Sequence, residues 1–115
     1  MSRWSVEITE KADAELDDIP EDMQGRFLRI SGMLESFGPA EVGMPHVRHL
    51  EDELWEMRMR GRDGIARAIY FSAKGHRLVV VRVFVKKTEK TPRREIDLAH
   101  TRVQEFRDGE KAQRR

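Results

Sequence analysis

The sequence predicts an α+β domain: an N-terminal strand and a two-helix hairpin packed on a small antiparallel sheet, closed by a C-terminal helix. Three observations carry this. Apolar residues recur at spacings of four, three, four and three through Met23, Phe27, Ile30, Leu34 and Phe37, the period of one helix face. From Leu54 the period drops to two, with Trp55, Met57 and Met59 alternating with Glu56, Arg58 and Arg60. The turn-forming stretches "GRDG" (61–64) and "AKGH" (73–76) then divide the chain into three consecutive strands.

In chain order, "RWSVEI" (3–8) alternates as a short first strand, and Thr9 can cap the helix that follows. In that helix Ala12, Leu16 and Ile19 share a face, and Pro20 ends it. The second helix runs to Gly38-Pro39, so the pair forms an antiparallel hairpin joined at Pro20. Residues 38–53, with two glycines, two prolines and two histidines, read as a connecting loop. The meander is "LWEMRMRG", "IARAIYFS" (65–72) and "RLVVVRVFVK" (77–86). Thr91-Pro92 offers an N-cap with proline at the first helical position. Ile96, Ala99, Val103 and Phe106 supply the buried stripe of the last helix, and 107–115 reads as a frayed tail.

At 115 residues the chain is one domain, 1–115, and it contains no cysteine. That excludes a disulfide scaffold and thiolate metal sites, and it fits a cytoplasmic setting. No apolar run is long enough to span a bilayer, and the N-terminus has no signal-peptide core. The formal charge of +1 conceals a polarised chain. Residues 1–53 hold 5 Lys/Arg and 13 Asp/Glu; residues 54–115 hold 17 and 8. Such asymmetry predicts one face directed at a polyanion.

The cations cluster on the predicted skeleton. Arg58 and Arg60 share a strand face, and Arg67 lies across the hairpin as a candidate cross-strand neighbour. Lys86 and Lys87 end the third strand, Lys90 follows, and Arg93 and Arg94 open the last helix beside its N–H groups. A twisted sheet could gather these into a concave basic surface suited to nucleic acid. Metal-free RNA cleavage there needs cations on the phosphorane and proton donors and acceptors, roles open to arginine and lysine. Glu56 reads as an ion-pair partner that holds Arg58. His46 and His49 read as loop residues without the further ligands of a metal site. His76 belongs to a turn, and His100 lies on the last helix off its apolar stripe. Tyr70 reads as packing, and Trp4 and Trp55 as core or partner-contact aromatics. No GxGxxG, GxxxxGK, HExxH or GxSxG occurs.

The stretch "LWEMRMRGRDGIARAIYF", an apolar strand, and then "FVKKTEKTPRREIDLA" resemble the RelE/ParE toxin superfamily, in particular its phage-derived HigB-like branch. The resemblance covers nearly the whole chain. It implies the toxin of a type II toxin–antitoxin module, a ribosome-dependent endoribonuclease that cuts A-site mRNA without metal or other cofactor. It implies that Arg58, Arg67 and Lys87 are catalytic and that Arg60 and Lys86 hold RNA. Lys90, Arg93 and Arg94 join them as RNA-binding cations by their place in the basic cluster. It also implies a cognate helix-turn-helix antitoxin, the 70S ribosome and mRNA as partners, with operator DNA bound only through the antitoxin and no membrane partner. The chain departs from several relatives in having no tyrosine or histidine in "KKTEKTPRREIDLA" before His100. Two alternatives follow from the same fold: a ParE-like inhibitor of DNA gyrase, and a non-catalytic nucleic-acid-binding module.

Overall fold

A computed structural model describes residues 3–113. Its elements are β1 (Ser5–Ile8), α1 (Glu10–Asp17), α2 (Glu21–Phe37), β2 (Val47–Glu51), β3 (Leu54–Gly61), β4 (Gly64–Ala73), β5 (Arg77–Lys86) and α3 (Arg93–Gln113). One five-stranded sheet has the order β1-β5-β4-β3-β2. The predicted meander β3-β4-β5 is antiparallel throughout.

The sheet differs from the expectation in two respects. β1 pairs with β5 in parallel, so the sheet is mixed. A fifth strand, β2, forms inside the segment read as a loop and pairs with β3. Its sequence, "VRHLE", shows no clean alternation, because an edge strand buries little of either face.

Helices cover both faces. On one, Ala12, Ile19, Met23, Phe27, Ile30 and Leu34 of the α1–α2 layer meet Met57, Met59, Ala66, Ala68, Tyr70 and Val80. On the other, Ala99 and Val103 of α3 meet Leu54, Ile69, Phe71, Val79, Val81 and Phe84. Period-two alternation in β3 and β4 therefore separates two cores, not a core from solvent.

Local choices fit this packing. The Thr9 hydroxyl accepts from the Ala12 N–H at 3.2 Å, the predicted cap of α1. Gly38 ends α2 with φ of 83°, a conformation that favours glycine. At Gly61 a Cβ would lie 2.6 Å from Asp22 Oδ2 and 2.8 Å from Met23 Cγ, so only glycine lets the first turn of α2 seat against the end of β3.

Beyond Ile8 the edge of β5 is covered by side chains. Glu15 accepts from the Val83 N–H at 3.0 Å, and Arg102 donates to the Val81 carbonyl at 2.9 Å. Arg82 ties the layers together, bonding Glu15 of α1 at 2.6 Å and Glu95 of α3 at 2.7 Å.

Three smaller expectations are corrected. Phe37 is 63% exposed, since α2 ends before its stripe returns to the sheet. Thr91 donates its hydroxyl to Glu56. The segment expected to fray is helical through Gln113, held by ion pairs from Arg107 to Glu53 and from Arg77 to Glu110; residues 114 and 115 lie outside the described residues. Among the described residues no helix is long and apolar enough to cross a membrane.

Candidate nucleic-acid interface

The α3-side face of the sheet is covered in two parts. Ala99 and Val103 cover its Phe71 and Val79 end. The rest carries Glu56, Arg58, Arg60 and Arg67, and the connection from β5 to α3 folds over it. Arg58 and Arg67 are directly opposed in the β3–β4 register, which confirms the predicted cross-strand contact.

Arg67 is fully buried. Its guanidinium donates to the carbonyls of Lys86 at 3.3 Å and Glu89 at 2.7 Å, and to that of Thr88. Arg58 also donates to the Glu89 carbonyl, and its Nε stands 3.4 Å from Glu56 Oε2. Glu56, itself fully buried, accepts the Thr91 hydroxyl at 2.6 Å. Residues 86–91 are thus pinned to the sheet by two arginines from below and one threonine from above.

The electrostatics of this layer are unbalanced. Among the described residues Arg67 has no carboxylate within ion-pair distance; burial first, then the Arg58 charge, hold its pKa below the usual arginine range. Arg60, exposed at the rim, makes a forked pair with Glu89 at 2.9 and 3.1 Å. The Arg60 bonds hold the Glu89 carboxyl below its ordinary value.

The structure therefore divides the residues singled out in the sequence. Arg58, Arg60 and Arg67 come together, but Arg58 and Arg67 lie beneath the 86–91 segment and do not form an open concave surface. Lys86 is half-buried, while Lys87 and Lys90 are exposed on that segment. No hydrogen bond or ion pair engages the three ammonium groups among the described residues. Arg93 points elsewhere, to both oxygens of Glu51 at 2.7 Å and to Asp97 at 3.0 Å. Arg94 is exposed, with Glu95 only at 4.0 Å.

His100 joins the Arg93 cluster, 2.8 Å from Glu51 Oε2. The Arg93 bonds and then His100 lower the Glu51 carboxyl to about 2. Glu51, Asp52 and His100 are the one group among the described residues with metal-ligand spacing. Because Arg93 occupies both Glu51 oxygens and adds positive charge, the group is better suited to an ion-pair network than to a cation.

The sequence alone draws no attention to Arg26 and Arg29, and His46 reads only as a loop residue. With Ile30, Pro45, Arg58 and Arg60 they line a cleft of about 90 Å³ where α2 meets the edge of β3. The available signal was two arginines three residues apart beside the apolar stripe of α2, but nothing local joins them to β3.

Comparison with known proteins gives one family and a shared fold. Residues 14–104 match the family described as Phage derived protein Gp49-like (DUF891). No curated protein matches significantly. Among solved structures, a chain of the toxin–antitoxin complex RelBE2 from Mycobacterium tuberculosis aligns with a TM-score of 0.54 at 19% identity, covering 74% of this chain and 100% of that one. A chain of the archaeal RelE–RelB complex from Pyrococcus horikoshii OT3 aligns with a TM-score of 0.56 at 23% identity, covering 77% and 100%. A chain of the YoeB–YefM complex from Staphylococcus aureus aligns with a TM-score of 0.54 at 11% identity, covering 74% and 99%. At these identities the likeness shows the fold.

Proposed function

This chain belongs to the phage-derived Gp49-like family and has a RelE-type fold, and from these we propose that it is the toxin of a type II toxin–antitoxin module. In this reading it is an endoribonuclease that cuts mRNA in the ribosomal A site. Its natural inhibitor is a cognate antitoxin, in keeping with the toxin–antitoxin complexes among its structural neighbours.

The observation that supports this reading is Arg67. A fully buried guanidinium bonded to carbonyls, with no carboxylate partner, is costly, because desolvation of a charge takes several kcal/mol, on the order of the stability of a small domain. A second arginine directly opposite raises that cost. Such a pair suits an anion that arrives from outside. When the 2′-hydroxyl attacks the neighbouring phosphate, negative charge gathers on the phosphorane oxygens, and two fixed guanidiniums stabilise it.

The carbonyls of Lys86, Thr88 and Glu89 now occupy the donors that a phosphate would take. Catalysis in this reading requires residues 86–91 to lift, so that phosphate oxygens replace those carbonyls on Arg58 and Arg67. Water takes the proton of the attacking 2′-hydroxyl. Lys87, exposed on that segment, is the proton donor to the leaving 5′-oxygen, while Arg60, Lys86, Lys90 and Arg94 neutralise adjoining phosphates. Arg93 contributes where its Glu51 pair opens.

The test is brief induction in a bacterial host, with 5′-end mapping of one message and of a copy lacking its start codon. New ends within codons of the translated copy alone support the reading. Growth arrest without new ends points to another target such as DNA gyrase, and normal growth points to a binding module.

A further inference from the structure

Most arginines of the sheet and of α3 are neutralised within the fold. Arg60, Arg77, Arg82, Arg93, Arg102 and Arg107 each hold a carboxylate at 3.1 Å or less. Arg26 and Arg29 of α2 differ. Both are exposed, and neither makes a hydrogen bond or ion pair among the described residues. The His46 ring is likewise exposed and without a partner.

These three groups converge on the cleft of about 90 Å³ that Arg58 and Arg60 also line. Its geometry follows from the sheet edge. β2 first pairs with β3 at Val47–Met57, so the last residues of β3, paired with β4 on one edge, have no strand of the described residues on the other. The Arg58 N–H donates to the His46 carbonyl at 2.9 Å, which fixes the His46 backbone beside the open edge. On the other side, Ile30 and Phe27 are buried in the core and set the rotation of α2, turning Arg26 and Arg29 toward the same opening. Arg58 is 5% exposed and its guanidinium is already engaged, donating to the Glu89 carbonyl with Nε 3.4 Å from Glu56 Oε2.

Two arginines and a histidine without partners among the described residues, around one small opening whose wall also includes Arg58 and Arg60, form a site for a tetrahedral oxyanion. We propose that this cleft binds a phosphate of single-stranded RNA, as a subsite next to the sheet face where Arg58 and Arg67 lie. Arg58 and Arg60 line the cleft from the strand that also builds that face, so the two sites are continuous along one polyanion. The choice of RNA over a free anion rests on the reading given under Proposed function.

The experiment titrates the full-length protein with single-stranded oligonucleotide RNA over a range of salt, alongside the Arg26→Gln/Arg29→Gln double variant. Both positions are exposed on a helix, so the substitutions leave folding nearly unchanged. Loss of two phosphate contacts makes the slope of log K against log salt shallower by about 1.4 and weakens binding roughly tenfold at low salt. In the same titration the His46 imidazole resonance, assigned with His46→Gln, shifts with RNA.

An unchanged slope and affinity, or a motionless His46 resonance, overturns the proposal. Inorganic phosphate binding the cleft as tightly as RNA also overturns it, in favour of a free anion. Unchanged RNA binding with lost capture of a co-expressed antitoxin overturns it in favour of an acidic protein partner. If the variant loses RNA affinity while the wild type produces no new message ends in cells, the subsite stands and the endoribonuclease reading fails.

Discussion

Arg58 and Arg67 face each other directly across β3 and β4, and both guanidiniums donate to the same carbonyl oxygen, that of Glu89. One acceptor thereby holds two like charges together and anchors the connection to α3.

Replacing Arg67 by lysine tests what the fork does. A single ammonium cannot reach the Lys86, Thr88 and Glu89 carbonyls together. Urea denaturation of Arg67→Lys should show a loss of about 1.5–3 kcal/mol, the scale of one hydrogen bond to a charged group. In the proposed reaction, message cleavage by the folded variant should fall about 100-fold or more, the effect of removing one transition-state donor. Full stability would show that the carbonyl contacts are dispensable.

Thr91→Val keeps the shape of the side chain and removes the hydroxyl. Glu56 Oε1 then loses its 2.6 Å donor while still fully buried, and Oε2 already has no hydrogen bond. The expected cost is about 1–3 kcal/mol, the penalty for an unsatisfied buried acceptor. Chemical denaturation with unchanged m-value checks it; a change within 0.5 kcal/mol would contradict the role given to Thr91.

Glu89→Gln should tighten RNA binding. Its carboxylate neutralises Arg60 through two bonds at 2.9 and 3.1 Å, so it competes with phosphate for that guanidinium. Releasing one cation steepens the salt dependence by about 0.7 for single-stranded RNA. Equal slopes for the two proteins would show that Arg60 makes no phosphate contact.

The Glu51 cluster predicts acid sensitivity of defined sign. Arg93, then His100, lower the Glu51 carboxyl from 4.5 to about 2 in the folded protein. The folded state therefore holds fewer protons than the unfolded chain between these values, and the stabilisation is complete above about pH 4.5. It is lost as the pH falls toward 2. The difference in melting temperature between the wild type and Glu51→Gln should shrink through that window; a constant difference would show that the pair does not couple to folding.

How far the sequence discloses this molecule depends on what each pattern reports. Alternation in 54–61 marks β3 because Met57 and Met59 enter one core while Leu54 enters the other. The stripe of α2 announces burial for the same reason. A stripe does not say which face of a sheet receives it, so the place of α3 opposite α1 and α2 is invisible until the chain is folded. β2 is held by backbone pairing to β3, which leaves no mark on "VRHLE".

The site is legible in part. Arg58, Arg60 and Arg67 could be placed together from strand register, but a charged strand face reads as open to solvent. Only the fold of 86–91 over it reveals that Arg58 and Arg67 are buried. Arg26, Arg29 and His46 reach their cleft by tertiary packing of α2 on β3, beyond the range of any local signal.

Ribosome-dependent cleavage is measured by adding the purified protein to ribosomes programmed with a defined message and a known A-site codon, and to the same RNA alone. A single new end is expected within that codon in the programmed ribosomes and none in the free RNA. Cleavage of free RNA at the same rate, or no cleavage in either by folded protein, would contradict it.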